Sequence, residues 1–164
     1  MSIVLTIIAV LVIIGLIYYT IHRLLVNRAT IMLRNSARKT TDTAVRACLH
    51  QILNDDQLVV KTSEQVADVW GKGVMAFEYS LPIEQLGKQA DALSVSSLNQ
   101  ALNQYAKQEQ ILPVEGANRA FVVSDWWTYE HLLHIDVAFV MNEATKEYVR
   151  DLKKVAKSQN QPLT

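Results

Sequence analysis

The chain has little of three residue types that mark whole classes of protein. Among its 164 residues there are one cysteine, three prolines and five glycines. A lone cysteine excludes a disulfide scaffold and a cysteine-based zinc finger, and so few prolines and glycines exclude collagen-like and linker compositions. The formal net charge is zero, from 16 basic and 16 acidic residues, so the basic excess of a nucleic-acid-binding protein is missing. We therefore expect no nucleic-acid partner.

What the sequence does have is an uninterrupted apolar segment at its N-terminal end. Residues 3–21 read IVLTIIAVLVIIGLIYYTI, and the first Lys or Arg is Arg23. A helix of this length extends about 28 Å, which matches the hydrocarbon core of a bilayer at about 30 Å. We therefore predict that residues 1–22 form a transmembrane anchor in contact with the lipid bilayer. Its membrane-spanning residues include Ile3, Val10, Gly15, Tyr18, Tyr19 and Ile21.

The residues that flank this segment predict its fate and its orientation. A cleaved signal peptide has a basic leader and a small-residue cleavage site. Met1 and Ser2 supply no basic side chain, so we expect a signal anchor that stays attached. Because Lys and Arg near a span favour the cytoplasmic side, and here they follow the span, we predict a single-pass cell-membrane protein with its N-terminus outside and its soluble domain in the cytoplasm. The alternative is an extracytoplasmic domain.

A basic amphipathic helix is predicted over residues 23–55. The first 46 residues carry a net charge of +5 and the remaining 118 carry −5. The basic residues of the helix are Arg23, Arg28, Arg34, Arg38, Lys39 and Arg46. Small and apolar residues recur at intervals of 7 and 4, a spacing that is typical of a helix packed closely against a neighbour. This packing stripe consists of Val26, Leu33, Ala37, Ala44 and Cys48.

Two interpretations of this helix stay open. Its basic edges could bind anionic lipid headgroups, which contributes about 1 kcal/mol for each cation near the surface. Alternatively, the helix packs on its own domain and the arginines act only in membrane orientation. The polar run Asn54-Asp55-Asp56 ends the helical pattern in either case.

Residues 56–157 are predicted to form a small α+β domain, in which helices pack mainly on one face of an antiparallel sheet. A flexible tail over 158–164 follows. A capping-box pattern that begins at Thr62 predicts a helix as far as Trp70. The alternation of apolar and polar residues over 74–81 predicts a strand. The residues expected on its buried face are Met75, Phe77, Tyr79 and Leu81.

Three further helices are predicted from their starting residues. Pro82 suits the first turn of a helix over 83–93. Ser94 is expected to cap a second helix, whose apolar stripe consists of Leu98, Ala101, Leu102, Tyr105 and Ala106. Asn142 is expected to cap a last helix over 143–157, with acidic residues early and lysines late, as the helix dipole favours.

The strongest strand signal is a predicted hairpin. Residues 120–128 form its first arm and 131–141 its second, and the turn is expected near Tyr129-Glu130, although the turn lacks Asn-Gly or Asp-Gly. In the second arm one face is apolar and the other carries His134 and Asp136.

No group of residues predicts catalysis or metal binding. His131 and His134 point to opposite faces of the predicted strand, and Cys48 and His50 are two apart on a helix, so neither pair converges. Residues 71–73 (Gly-Lys-Gly) lack the spacing of a phosphate-binding loop. The acidic residues outside the helices are dispersed along the sequence: Glu78, Glu115, Asp125, Glu130 and Asp136. We therefore expect a protein that is not an enzyme, with no cofactor and no metal.

An aromatic cluster is the best candidate for an interaction surface. It consists of Asp125, Trp126, Trp127 and Tyr129. Adjacent strand residues point to opposite faces, so one tryptophan is expected in the core and the other on a surface. Aromatic residues dominate the binding energy of interfaces. The alternative is that both rings are covered, one by the sheet core and one by the last helix.

These features lead to two hypotheses of function. In the first, a single-pass membrane protein uses its small domain for interaction with a protein partner or for self-association at the membrane. In the second, the chain is a polymer subunit: an apolar N-terminal helix that continues into an amphipathic helix and a small sheet resembles, in outline, the pilins and secretion pseudopilins. That resemblance implies assembly through the N-terminal helices and a domain outside the cytoplasmic membrane. The sequence lacks the basic leader, processing glycine and early glutamate of that family.

Overall fold

The computed structural model describes residues 2–56, 58–66 and 73–159. In chain order the elements are helix α1 (Ser2–Leu53), strands β1 (Glu64–Gln65) and β2 (Ala76–Pro82), a 3-10 helix (Ile83–Ala92), helix α2 (Val95–Gln108), strands β3 (Phe121–Tyr129) and β4 (Leu132–Phe139), and helix α3 (Glu143–Gln159). The protein is thus α+β, as predicted, with a long apolar N-terminal helix and a small antiparallel sheet of four strands.

The chain divides into two compact units, Met1–Ser36 and Ala37–Thr164. The first unit holds the N-terminal part of α1, where an 18-residue window has a mean hydropathy of 2.7 and 0% of it is buried. This helix is long and apolar enough to cross a membrane, which is compatible with the predicted anchor. Leu33 of the packing stripe is exposed, and the side chain of Val26 lies outside the described part of the structure.

The sheet has the strand order β1-β2-β4-β3, and every neighbouring pair is antiparallel. Strands β2 and β4 pair without interruption from Ala76↔Ala138 to Pro82↔Leu132. Strands β3 and β4 change register after Val123, because Ser124 is an extra residue that has no partner in the ladder. Such a β-bulge bends its strand and re-aims the side chains that follow it.

The main core lies on one face of the sheet, under α1 and α2. Its buried residues come from α1 (Ala37, Ala44, Val45, Cys48, Leu49), from α2 (Leu98, Leu102, Ala106) and from the strands (Phe77, Tyr79, Leu81, Phe121, Leu133, Ile135, Val137). A second, smaller cluster includes residues of α3 and of the opposite sheet face, namely Ala76, Ala138, Val140, Tyr148 and Val149. Helices therefore pack on both faces of the sheet rather than mainly on one.

A buried polar contact joins α1 to the sheet. The Tyr79 hydroxyl donates to Asp42 Oδ1 over 2.9 Å, and the Ser63 hydroxyl donates to the same oxygen over 2.6 Å. Burial and the neighbouring Asp42 charge raise the pKa of Tyr79, so the phenol stays protonated as a donor. Hydrogen bonds to a charged acceptor are stronger than neutral ones, so this network fixes the position of α1 on the sheet.

The predicted helix from Thr62 is wrong at its start. Glu64 and Gln65 form β1, which pairs with Glu78 and Phe77 of β2, and the Val66 amide extends the pairing by donating to the Ala76 carbonyl over 3.1 Å. Pairing with a sheet edge satisfies several backbone groups, which outweighs a local capping pattern. The rest of that predicted helix falls largely on residues 67–70, which lie outside the described ranges.

Two other segments differ in detail from prediction. Pro82 ends β2 and is also the N-cap of the helix that follows, but this segment is a 3-10 helix, interrupted at Gly87, where φ is 58°. The hairpin turn lies at Glu130-His131, one residue later than predicted, and both residues have positive φ of 46° and 63°. A turn with two left-handed residues matches the twist of the paired strands.

The predicted caps of the last two helices are confirmed. Ser94 and Ser97 form a reciprocal capping box at the start of α2, and Asn142 Oδ1 accepts from the Thr145 amide over 2.9 Å at the start of α3. Side-chain acceptors of this kind satisfy amides that have no partner within the helix.

A candidate interaction face on the sheet

Four carboxylates lie in one row across the sheet, and we name them the carboxylate row. The register pairs Glu64 with Glu78, Glu78 with Asp136 and Asp136 with Asp125, so the row crosses all four strands. Directly paired residues have Cβ atoms about 4.5–5.5 Å apart, and like charges at that separation destabilise a sheet. The row is therefore electrostatically unfavourable in the protein alone.

Asp136 is the buried member of the row. Asp136 is 5% exposed, and its Oδ1 atom has no hydrogen-bond partner within the described part of the chain. Burial raises the pKa of Asp136 to about 7, the charges of Glu78 and Asp125 add to the increase, and His134 opposes it. The carboxyl thus changes its charge near neutral pH.

The next row of side chains consists of Ser80, His134 and Trp127, which are paired across β2, β4 and β3. His134 Nδ1 lies 2.7 Å from Glu78 Oε1 and 3.2 Å from Ser80 Oγ. Because an ionised carboxylate only accepts hydrogen bonds, this contact places a proton on Nδ1. The Trp127 ring stacks on the imidazole, with centroids 4.9 Å apart and planes 8° from parallel. The stack and the hydrogen bond to Glu78 hold His134 in one orientation.

Helix α3 borders the carboxylate row through Tyr148. Its phenol is hydrogen-bonded to Ser124, and burial raises its pKa, with the charges of Asp136 and Asp125 adding to the increase. The groups that face Asp136 are therefore Glu78 from β2, Asp125 from β3, His134 on its own strand and Tyr148 from α3.

The predicted aromatic cluster is divided between the two faces of the sheet. Trp126 packs, partly buried, against the main core, whereas Trp127 lies on the opposite face over His134. Tyr129 is 61% exposed. Asp125 is exposed, and its Oδ1 accepts from the Trp126 amide over 2.7 Å. Trp127, Tyr129 and Asp125 thus belong with the carboxylate row, and Trp126 does not.

The buried part of the packing stripe and Arg46 do not belong to this face. Ala37, Ala44 and Cys48 are buried in the main core of their own domain, so they are not available to another protein. Burial raises the pKa of the Cys48 thiol to about 12, so it is a poor nucleophile. Arg46 donates to the Val60 carbonyl over 3.3 Å.

The carboxylate row is not evident from the sequence, in which its acidic residues are dispersed. Glu78, Asp125 and Asp136 are far apart in the sequence, and the capping-box pattern at Thr62 predicts a helix at Glu64. The alternation in β2 and β4 does place Glu78 and Asp136 on the polar faces of their strands, which was an available signal. The local sequence pattern does not predict which strands pair, and it does not predict the bulge at Ser124.

Chemically, this face supplies carboxylates, an imidazole and a stacked indole. Within the described ranges, no group of three or more potential ligands has the arrangement of a metal site. Exposed carboxylates beside an indole face suit cationic groups, because cations are attracted to both. Comparisons of the chain with protein-family models, with curated proteins and with solved structures found no match, so the interpretation of this face rests on its geometry.

Proposed function

We propose that this protein is a single-pass, membrane-anchored interaction protein whose α+β domain binds a basic segment of a protein partner at the membrane. The observation that carries the proposal is the carboxylate row beside the Trp127–His134 stack. In this proposal the domain is not an enzyme and uses no cofactor or metal.

The chemistry of the row favours a partner rich in Lys or Arg. Glu64 and Asp125 are exposed, and the Glu78 side chain is 31% exposed, so three carboxylates can be reached from solvent. A basic segment would neutralise their mutual repulsion and place cations against the face of Trp127. Tyr129 and Trp127 would supply the aromatic contact area that is typical of interface hot spots.

The binding proposal is tested by photo-crosslinking in native membranes. Replacing Tyr129 with p-benzoylphenylalanine puts a reactive ring at the face, and replacing Leu112, which is 81% exposed, provides the matched control. We expect an adduct with a protein at position 129 but not at 112. The same adduct should be lost in a Glu78→Gln, Asp125→Asn background.

Equal adducts at both positions, or an adduct that is insensitive to the two neutral substitutions, would contradict a specific acidic docking face. Identification of the adduct by mass spectrometry should show a basic segment at the crosslinked site. An acidic or apolar segment there would likewise exclude the proposed chemistry.

The location in this proposal is the cell membrane, with the domain in the cytoplasm. It is supported by the apolar window of α1, with its mean hydropathy of 2.7, and by the basic residues that follow it. A reporter that is active only in the cytoplasm, fused after Thr164, should give signal. Activity only from a reporter that works outside the cytoplasm would contradict this orientation.

A second candidate, a pilin-like subunit that polymerises through its N-terminal helices, is favoured by one observation. The C-terminal part of the 52-residue α1 packs on an antiparallel sheet through Ala37, Ala44, Val45, Cys48, Leu49 and Leu53, which matches the outline of the pilin resemblance. Single cysteines introduced at 5–16 in a Cys48→Ala background should then give oxidised products between copies in the membrane. Products whose yield depends on the position along the helix would favour polymerisation, and their absence would favour the first candidate.

A further inference from the structure

A cavity of about 570 Å³ lies along the outer side of β3. It is lined by the loop at 116–119, by β3 and α3, and by Asn99 of α2. Strand β3 is at the edge of the sheet, and the Asn99 side chain occupies part of that edge by accepting from the Val123 amide over 3.0 Å. Cavities of this size are typical of small-molecule sites. This groove is distinct from the carboxylate row.

The charged residues that line the groove are all basic. Arg119 comes from the loop, and Lys146, Arg150 and Lys153 come from one face of α3, at spacings of four and three. No carboxylate belongs to the described lining. Because the domain beyond residue 46 carries a net charge of −5, a concentration of cations here is a local departure from the charge of its surroundings.

Among the residues that the structure describes, two of these cations have no partner, and the other two have weak ones. Arg119 and Lys153 make no ion pair or hydrogen bond within the described residues. Lys146 pairs with Glu143 at 3.0 Å, and Arg150 pairs with Glu147. Exposed pairs of this kind contribute about 0–1 kcal/mol, so an incoming anion can compete for both side chains.

The loop at 116–119 brings its backbone close to the Lys146 amine. Gly116 has a φ of +75°, and a Cβ at this position would lie 3.3 Å from Lys146 Nζ. The same amine donates to the Glu115 carbonyl over 3.0 Å. Glycine therefore permits both the left-handed turn and the close approach that holds Lys146 at the mouth of the groove.

The floor of the groove is apolar. It is formed by Val122, Val123, Val140 and Val149, with Ala117 at the loop end. A bare inorganic anion would leave this floor in contact with water, whereas an anion with an apolar body would cover it and gain the hydrophobic contribution.

We propose that this groove binds a small organic phosphate, with the phosphate between Arg119 and the α3 cations and the apolar part on the valines. Guanidinium and ammonium groups are the usual phosphate ligands of proteins. The shared chemistry is a phosphate ester, which either a soluble metabolite or a phospholipid headgroup supplies. This inference is independent of the proposed binding of a basic partner.

The test uses the full chain in phosphatidylcholine nanodiscs and measures binding of phenyl phosphate by calorimetry. Benzyltrimethylammonium, which has a similar ring and the opposite charge, is the ligand control. The variants are Arg119→Gln and Lys153→Gln, and the matched control is Lys154→Gln, since Lys154 is exposed, pairs with Asp151 and lies outside the lining.

We expect saturable binding of phenyl phosphate, weakened about tenfold by each groove substitution, because a charge-assisted contact is typically worth that factor or more. Lys154→Gln should leave the affinity unchanged, and benzyltrimethylammonium should not bind. Absence of saturable binding, or an equal loss in Lys154→Gln, would overturn the proposal.

Nanodiscs that contain phosphatidylglycerol distinguish the source of the phosphate. If headgroups occupy the groove, phenyl phosphate should bind more weakly in these discs and amide resonances of β3 residues 122–123 should shift, with the shifts lost in Arg119→Gln. If the ligand is soluble, the shifts should be absent and phenyl phosphate should still bind in a manner that depends on Arg119.

Discussion

Asp136 sits where ionisation works against folding. A carboxyl that is 5% exposed and flanked by Glu78 and Asp125 is stabilised in its neutral form, since burial and like charges both disfavour the anion. The protein nevertheless places it directly between two other carboxylates in the sheet register. Unfavourable placements of this kind are frequent at functional sites, where a ligand relieves them.

The pH dependence follows from the pKa of Asp136. It is about 7 in the folded protein against a model value of 3.8, so the folded state binds this proton more tightly than the unfolded state. The contribution of Asp136 to stability therefore falls as pH rises from about 4 to about 7 and stays low above that range. Asp136→Asn should stabilise the protein at pH 8 by up to about 4 kcal/mol, with little difference at pH 4. Denaturant unfolding at both pH values measures this, and a difference that is the same at both would contradict it.

The two adjacent tryptophans should respond differently to truncation. Trp126→Ala removes a ring that packs on the core and should lower the free energy of unfolding by roughly 2–3 kcal/mol. Trp127→Ala removes only the stack on His134 and should lower it by about 1 kcal/mol.

The crosslink at position 129 gives the second readout for this pair. Trp127→Ala should abolish the adduct at a temperature where the variant is fully folded, whereas Trp126→Ala should retain it. The reverse pattern would place the interaction surface on the core side of the sheet.

At the scale of elements, the bulge at Ser124 decides what each face of β3 presents. If Ser124 instead paired with Asp136 and formed no bulge, Asp125 would pair with Ile135 and point into the core, and Trp126 would pair with His134. A shift of one residue exchanges the two faces of a strand. The bulge therefore places Asp125 in the carboxylate row and Trp126 in the core.

Deleting Ser124 should consequently be tolerated. Asp125 would then follow Val123 directly and still pair with Asp136, and Trp126 would stay on the core face. The deletion removes the bend and the Ser124 hydroxyl but keeps both faces of the strand, so it should cost only about 1–2 kcal/mol. Ser124→Ala keeps the bulge and removes only the hydroxyl, so it should cost about 1 kcal/mol. Thermal unfolding followed by tryptophan fluorescence compares the two, and loss of folding in the deletion alone would show that the pairing of Asp125 with Asp136 depends on the bulge.

Helix α1 offers a separate test of packing. Ala44 is 0% exposed in the main core. Ala44→Leu should therefore overpack the interface between α1 and the sheet and destabilise the protein by about 1–3 kcal/mol. Leu33→Ala, in the exposed part of the same stripe, is the control and should change stability by less than about 0.5 kcal/mol. Chemical denaturation measures both, and a neutral Ala44→Leu would mean that α1 does not pack closely on the sheet.

The elements that sequence predicts well are those whose signals are local. The strand with Phe77 and Tyr79, the serine cap of α2 and the asparagine cap of α3 depend on neighbours within a few residues. Strand β1 was missed because a two-residue strand exists only through its partner β2. The carboxylate row was missed for the same reason, since it is a product of register across four strands and of one bulge.

At the scale of the whole molecule, the zero net charge is a cancellation between two segments. The first 46 residues carry +5 and the rest carry −5. Within the acidic remainder, charge is separated again into the carboxylate row and the basic groove. Attraction between such surfaces is screened over about 8 Å at physiological salt, so partners must come into contact to be recognised.

This separation predicts a salt dependence for the proposed interaction. The crosslink yield at position 129 should fall several-fold between 50 and 500 mM NaCl, because the carboxylates that attract a basic segment are exposed to the solution. The proposed anchoring of the domain through the apolar helix should be unaffected by the same salt, as sedimentation of membranes would show. A yield that does not change with salt would indicate an apolar interface.

The burial of Cys48 also provides a way to measure how often α1 separates from the sheet. The only thiol in the chain lies in the seam between α1 and the sheet, 1% exposed, so alkylating reagents reach it only when that seam separates. The rate of its modification in intact membranes then measures how often the helix leaves the sheet, without purification or an added label. Anything that binds the domain and holds the seam closed would register as protection of a single sulfur atom.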